Sequence, residues 1–185
     1  MKTILITFCL LFSGLSQAAL IQLQPNQTEY QVGDTVELSM TISGLTETVA
    51  SFKTEVFYQP SAFLLQSWQF GSGLDDGFGS LQFADHDEAM GSIALDEFTF
   101  ASDESILAGQ QGNGFVLANL SFVALQAGEF LFSFNPLLFG VENFAGDFID
   151  ASFNDLNVSI NPTQVPVPAT ALLLLTGMGL LLRRR

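Results

Sequence analysis

Cysteine is almost missing from this 185-residue chain: the single one, Cys9, sits in an N-terminal segment that reads as removable. Without it there is no disulfide framework, no cysteine nucleophile and no thiolate zinc site. Basic residues are nearly as scarce. Of five Lys and Arg, only Lys53 lies between residues 19 and 182, against all nineteen Asp and Glu, which leaves that stretch at −18. Such a surface repels phosphate backbones and anionic headgroups, so nucleic acid is excluded as a partner. Divalent cations, cationic polymers and basic partners remain, and solubility alone is the plainer reading of the charge. Histidine occurs once, as His86, and tryptophan once, as Trp68. Between residues 20 and 160 no stretch sustains a helical period for three turns.

Phenylalanine is abundant, nineteen in all, and suits pleated, half-buried surfaces. In residues 36–43, Val36, Leu38, Met40 and Ile42 alternate with Glu37, Ser39, Thr41 and Ser43. That period of two marks a half-buried strand, and Gly33-Asp34 and Gly44 punctuate its ends. Further strands are expected over 20–23, 51–58, 64–70, 91–98, 115–124, 129–134 and 156–160. Residues 71–91 read as two loops around a short strand near 81–83. About eight strands with turn residues between them predict an all-β fold, an antiparallel two-sheet sandwich. With no staples it must stand on its apolar core, and roughly 145 residues suffice for one.

Both ends read as processing segments. Met1-Lys2, an apolar stretch over 4–15 and the small residues Ser16 and Ala18 form a signal peptide, with signal peptidase cutting after Ala18. The expected division is therefore 1–18, an acidic sandwich over 19–161, and a tail over 162–185. In that tail Val165-Pro166-Val167-Pro168 is extended, because each proline fixes its own φ and biases the residue before it. Residues 169–182 form a short uncharged apolar helix of about 21 Å, less than the roughly 30 Å hydrocarbon core. Arg183, Arg184 and Arg185 would stay cytoplasmic.

Two resemblances follow. Gly33-Asp34-Thr35-Val36, the run FKTEVFYQPSAFLL over 52–65, the glycine-led strand Gly114 to Phe122, and Gly128 resemble segments of cohesin-like sandwich domains of bacterial extracellular proteins. Gln59 stands where that family's turn has aspartate. The resemblance implies the cohesin-like or Ig-like sandwich; cohesins bind dockerin modules, and fold likeness alone does not carry that partner over. The second lies in the tail, where Val165, Pro166, Val167, Pro168 and Ala169, the apolar helix and the arginines resemble the tripartite PEP-CTERM sorting signal in its VPxPA form. Val167 replaces the eponymous glutamate. It implies a Gram-negative host making exopolysaccharide, transient inner-membrane insertion, and processing by an exosortase-type enzyme. Delivery to the cell surface or extracellular matrix follows. A plain C-terminal anchor is the alternative reading of the same residues.

Asp85-His86-Asp87-Glu88, with Asp75 and Asp76 nearby, offers oxygen donors for calcium, the one cofactor considered. The spacing is not that of an EF-hand, and a solvated acidic loop is the competing reading. Glycoside hydrolysis needs two carboxylates across a cleft, but the neighbours Asp96-Glu97 and Asp103-Glu104 point opposite ways on a strand. His86 has no nucleophile elbow beside it. The chain is therefore expected not to be an enzyme. Trp68, Tyr30 and Tyr58 suit sugar stacking, although Trp68, among Leu64, Leu65 and Phe70, reads more strongly as core. Asn26-Gln27-Thr28 and Asn157-Val158-Ser159 match the glycosylation pattern by chance in a bacterial chain. The expected role is a structural or adhesive surface protein; a module binding polysaccharide or another surface protein is the alternative, and a hydrolase the weakest.

Overall fold

The computed structural model describes residues 18–163. The signal-peptide residue Ser16, the sorting motif Val165, Pro166, Val167, Pro168 and Ala169, and Arg183, Arg184 and Arg185 lie outside the described residues. Among the described residues, no helix is long and apolar enough to cross a membrane.

Among the described residues the fold has twelve strands and one short helix: β1 (Ala19–Pro25), β2 (Tyr30–Gln31), β3 (Thr35–Ser43), β4 (Val49–Phe57), β5 (Phe63–Phe70), β6 (Ser80–Asp87), β7 (Ser92–Thr99), α1 (Ser105–Gln111), β8 (Gly114–Ala124), β9 (Gly128–Phe134), β10 (Gly140–Asn143), β11 (Ala151–Asn154) and β12 (Leu156–Asn161). They form a two-sheet sandwich. One sheet has the order β11-β1-β3-β8-β5, and the other runs β2-β12-β9-β4-β7-β6, with β10 also paired to β4. Pairing is antiparallel except at two outer positions, where β11 runs parallel to β1 and β2 parallel to β12.

Alternation puts the expected side chains inside. Val36, Leu38, Met40 and Ile42 of β3 are all buried, as are Phe130, Phe132 and Phe134 of β9. Phe122 of β8 is the hub of an aromatic cluster, its ring 5.0 Å from Tyr58, 5.1 Å from Phe132 and 6.1 Å from Phe63, in the edge-on arrangements that ring quadrupoles favour. On the outer face of β4, Lys53 is exposed and stands opposite Asp96 of β7 on one side and Gly140 of β10 on the other.

Three local expectations need correction. The acidic run is not a loop: Asp85, His86 and Asp87 belong to β6, an eight-residue strand paired in unbroken register with β7. Ser80, Gln82, Ala84 and His86 take the face that sees the opposite sheet, while Leu81, Phe83, Asp85 and Asp87 face outward, so alternation was present beneath the charge. The β6–β7 turn closes on Gly91, whose φ of +69° and approach to the Tyr58 carbonyl leave no room for a Cβ. Trp68 is not core. A bulge between Leu65 and Ser67 breaks the alternation of β5, and Trp68, beyond it on an edge strand, is 41 % exposed. Finally, α1 was not expected, because seven residues are too few for a periodic signal.

Candidate functional site

β5 and β6 are the facing edges of the two sheets, and they do not close on each other. Between them lies an open cleft of about 900 Å³. Trp68, Gln69 and Phe70 of β5 line one side, Ser80, Gln82 and Ala84 of β6 the other, with Val116 and Asn119 of β8 and the loop over residues 71–79 completing it.

The loop is held from several directions. The Asp75 carboxylate accepts from the backbone N–H of Gly77 (2.7 Å) and of Gly79 (2.8 Å), and Asp76 accepts from Phe78 N–H (2.8 Å). From α1, the Gln110 amide donates to the carbonyls of Ser72, Gly73 and Asp75 at 2.8–3.2 Å. Gln111, which is buried, donates to the Gly73 carbonyl (3.0 Å) and also exchanges two 2.8 Å hydrogen bonds with the backbone of Val49. At the start of the loop Gly71 donates to the Leu117 carbonyl, and a side chain there would run into the Val116 carbonyl. The adjacent glutamines thus tie the cleft wall to the sandwich. No sequence motif announces them. From the loop's tip Phe78 stands 94 % exposed.

On the β6 side the polar groups have a buried anchor. Glu97 of β7 is 1 % exposed, and its carboxylate accepts from Ser80 Oγ and from Gln82 Nε2 (3.0 Å). Burial raises its pKa, the two side-chain hydrogen bonds work the other way, and the charge of Asp75 adds to the rise. Asp96, its neighbour, lies on the opposite face near Lys53, as alternation requires. Burial raises the Asp96 pKa too, with Lys53 opposing and Glu142 adding, and one Asp96 oxygen is buried without a partner.

These shifts have a sign. A carboxyl that keeps its proton to higher pH when folded is deprotonated first in the unfolded chain, so the unfolded state binds fewer protons between the two values. Stability is then greatest below the ordinary glutamate value of about 4.3, falls as pH rises toward the folded value, and levels off above it. Glu97→Gln keeps an acceptor for Ser80 and Gln82 and removes the titration. It should raise the thermal midpoint at pH 7 while leaving the pH 4 midpoint nearly unchanged; parallel pH profiles for parent and variant would remove Glu97 from the account.

Trp68 is placed by a second chain of contacts. Its ring lies 6.4 Å from that of His86, and His86 Nε2 is 2.7 Å from the hydroxyl of buried Tyr58. The Tyr58 pKa is raised, chiefly by burial and then by Glu88 and Asp87. The single histidine therefore spaces a core tyrosine from a cleft tryptophan.

The residues considered for calcium are spread out by this arrangement. Asp75 and Asp76 cap their own loop, Asp85 and Asp87 lie on the outward row of β6, and Glu88 follows in the turn. Asp87 accepts from Met90 N–H within that turn. Among the described residues, no three His, Asp or Glu side chains are grouped as a metal ion would require. Asp103 sits exposed before α1, where hydrogen bonds from Ser105 lower its pKa.

A second feature lies on the outer face of the larger sheet, where Leu81, Phe83 and Phe98 are exposed side by side across β6 and β7.

No protein-family model matches this chain, and no curated protein sequence is similar to it. Solved structures do match. A type II cohesin domain from the cellulosome of Acetivibrio cellulolyticus superposes with a TM-score of 0.66 at 18 % identity, over 77 % of this chain and 95 % of that one. The third cohesin of ScaC from the same organism, solved in complex with the ScaB dockerin, gives 0.63 at 13 % identity, over 77 % and 98 %. A non-cellulosomal cohesin from the archaeon Archaeoglobus fulgidus gives 0.60 at 12 % identity, over 78 % and 92 %. At such identities the likeness is one of fold: this chain has the cohesin sandwich.

Proposed function

We propose that this protein is an exported, non-catalytic recognition module with a structural or adhesive role at the cell surface or in the extracellular matrix. The observation that carries the reading is the cleft between the sheet edges, in which an exposed tryptophan faces a wall held in advance by Gln110 and Gln111. A pre-formed concavity with few, fixed polar groups is what a binding site needs. The acids around it do not converge as a hydrolytic pair: Asp75, which lines it, is engaged by the N–H groups of Gly77 and Gly79, Glu97 is sealed beneath Ser80 and Gln82, and Asp96 is on the other face. Signal peptidase would release the chain after Ala18, and an exosortase-type enzyme acting near Val165 to Ala169 would deliver it to the surface of a Gram-negative cell.

Intact mass of the protein recovered from host envelope and extracellular fractions tests the delivery. Loss of residues 1–18 together with the tail beyond the proline motif is the expected result. A species that keeps residues 172–185 in the inner membrane would make the tail an ordinary anchor and end the sorting reading.

A second reading is supported by the apolar row Leu81, Phe83 and Phe98, and by a fold shared with cohesins solved in complex with dockerins. In it the outer face of β6 and β7 holds a protein partner. Phe83→Ser should then abolish capture of that partner and leave the unfolding midpoint close to the parent's; unchanged capture would set this reading aside.

A further inference from the structure

We infer that the cleft between β5 and β6 binds an uncharged oligosaccharide, which rests on reading that cleft as the recognition site. The chemistry of its lining leads there. Trp68 offers an exposed indole face, the flat apolar surface on which the C–H face of a sugar ring packs. Across the cleft from it stand the neutral groups of Gln82, Ser80 and Ser72, of the kind that pair with sugar hydroxyls.

Glu97 gives this set its direction. It takes hydrogen bonds from Ser80 Oγ and Gln82 Nε2, and Gln82 Nε2 also donates to Ser80 Oγ (3.0 Å), so the donors of both side chains are committed to the protein. The Gln82 carbonyl and the one remaining Ser80 lone pair are left to accept from a ligand, and a sugar hydroxyl is a donor able to use them. Because Gln110 and Gln111 already hold the loop wall, little ordering cost falls on binding.

Charge narrows the class. The stretch over residues 19–182 carries −18, and Asp75 also lines the cleft, so uronic or sulfated chains are repelled. An acidic peptide is repelled for the same reason, and an apolar segment would leave the amides without partners.

The sole tryptophan makes the test direct, because all indole emission comes from the site. The full chain, in a zwitterionic detergent without a sugar headgroup, is titrated with cellohexaose, with the hexamer of N-acetylglucosamine, and with oligogalacturonate as the charged control. A saturable change in Trp68 emission with a neutral hexamer and none with the charged one is expected. By calorimetry Trp68→Ala should weaken that binding about tenfold. Trp68 is exposed, and an unfolding midpoint equal to the parent's would show that the variant folds.

No response to either neutral hexamer, stronger binding of the charged chain, or affinity unchanged in Trp68→Ala would overturn the proposal. Retention in the host matrix separates this failure from failure of the recognition reading. If the parent is retained and Trp68→Ala is shed, the cleft holds a ligand of another class. If both are retained equally, the recognition reading falls with the glycan.

Discussion

Gln111→Leu should cost about 3 kcal/mol or more of stability, although the two side chains are of similar volume. Gln111 is 2 % exposed, and its amide is the partner of the Val49 N–H, the Val49 carbonyl and the Gly73 carbonyl. Leucine satisfies none of them, and each buried group left without a partner costs on the order of 1–3 kcal/mol. For a domain of this size the thermal midpoint should fall by roughly 10 °C. Gln110→Ala provides the contrast. Gln110 is exposed and its side-chain hydrogen bonds go to the loop, so its loss should leave the midpoint nearly unchanged while hydrogen exchange quickens over residues 71–79. Equal effects from the two glutamines would mean that α1 does not act as a clamp.

Phe122→Ala should be as damaging, by about 3–5 kcal/mol, through transfer free energy and cavity together. Its ring is completely buried against Tyr58, Phe63 and Phe132, and those rings belong to β9, to β5 and to the segment just beyond β4, so the space left by one cannot be closed by moving a single strand. Phe78→Ser, at a side chain 94 % exposed, should change the denaturation midpoint by little. A mild result at Phe122 would mean that the two sheets repack freely, contrary to the contacts seen.

The contrast between these phenylalanines marks how far a sequence speaks. Strands such as β3 and β9 were legible because burial on one face imposes a period of two that survives in the residue order. The two-residue β2 and the four-residue β10 and β11 are too short to display a period. β6 was under-read because Asp85 and Asp87 put charge on its outward row, and charge on an exposed face does not forbid a strand.

Of the cleft, Trp68 was visible as a residue and misread as an environment, since its sequence neighbours are apolar while its place beyond a bulge, on an edge, is a fact of pairing. Gln110, Gln111, Gln82 and Asn119 carried no signal at all. Glutamine and asparagine acquire meaning from the backbone groups and carboxylates they meet, and those arrive from remote parts of the chain: Gln111 lies 62 residues from Val49.

The position of Lys53 bears on how long such a protein lasts outside a cell. An enzyme of trypsin-like preference finds a single susceptible bond between residues 19 and 182, the one following Lys53. That bond lies mid-strand, with β7 paired on one side and β10 on the other. A protease must draw its substrate out as an extended chain, so β4 has to leave the sheet before it can be cut, and the rate of digestion becomes a rate of opening. A domain without disulfides is thereby shielded from one broad class of extracellular digestion by the near-absence of cleavage points.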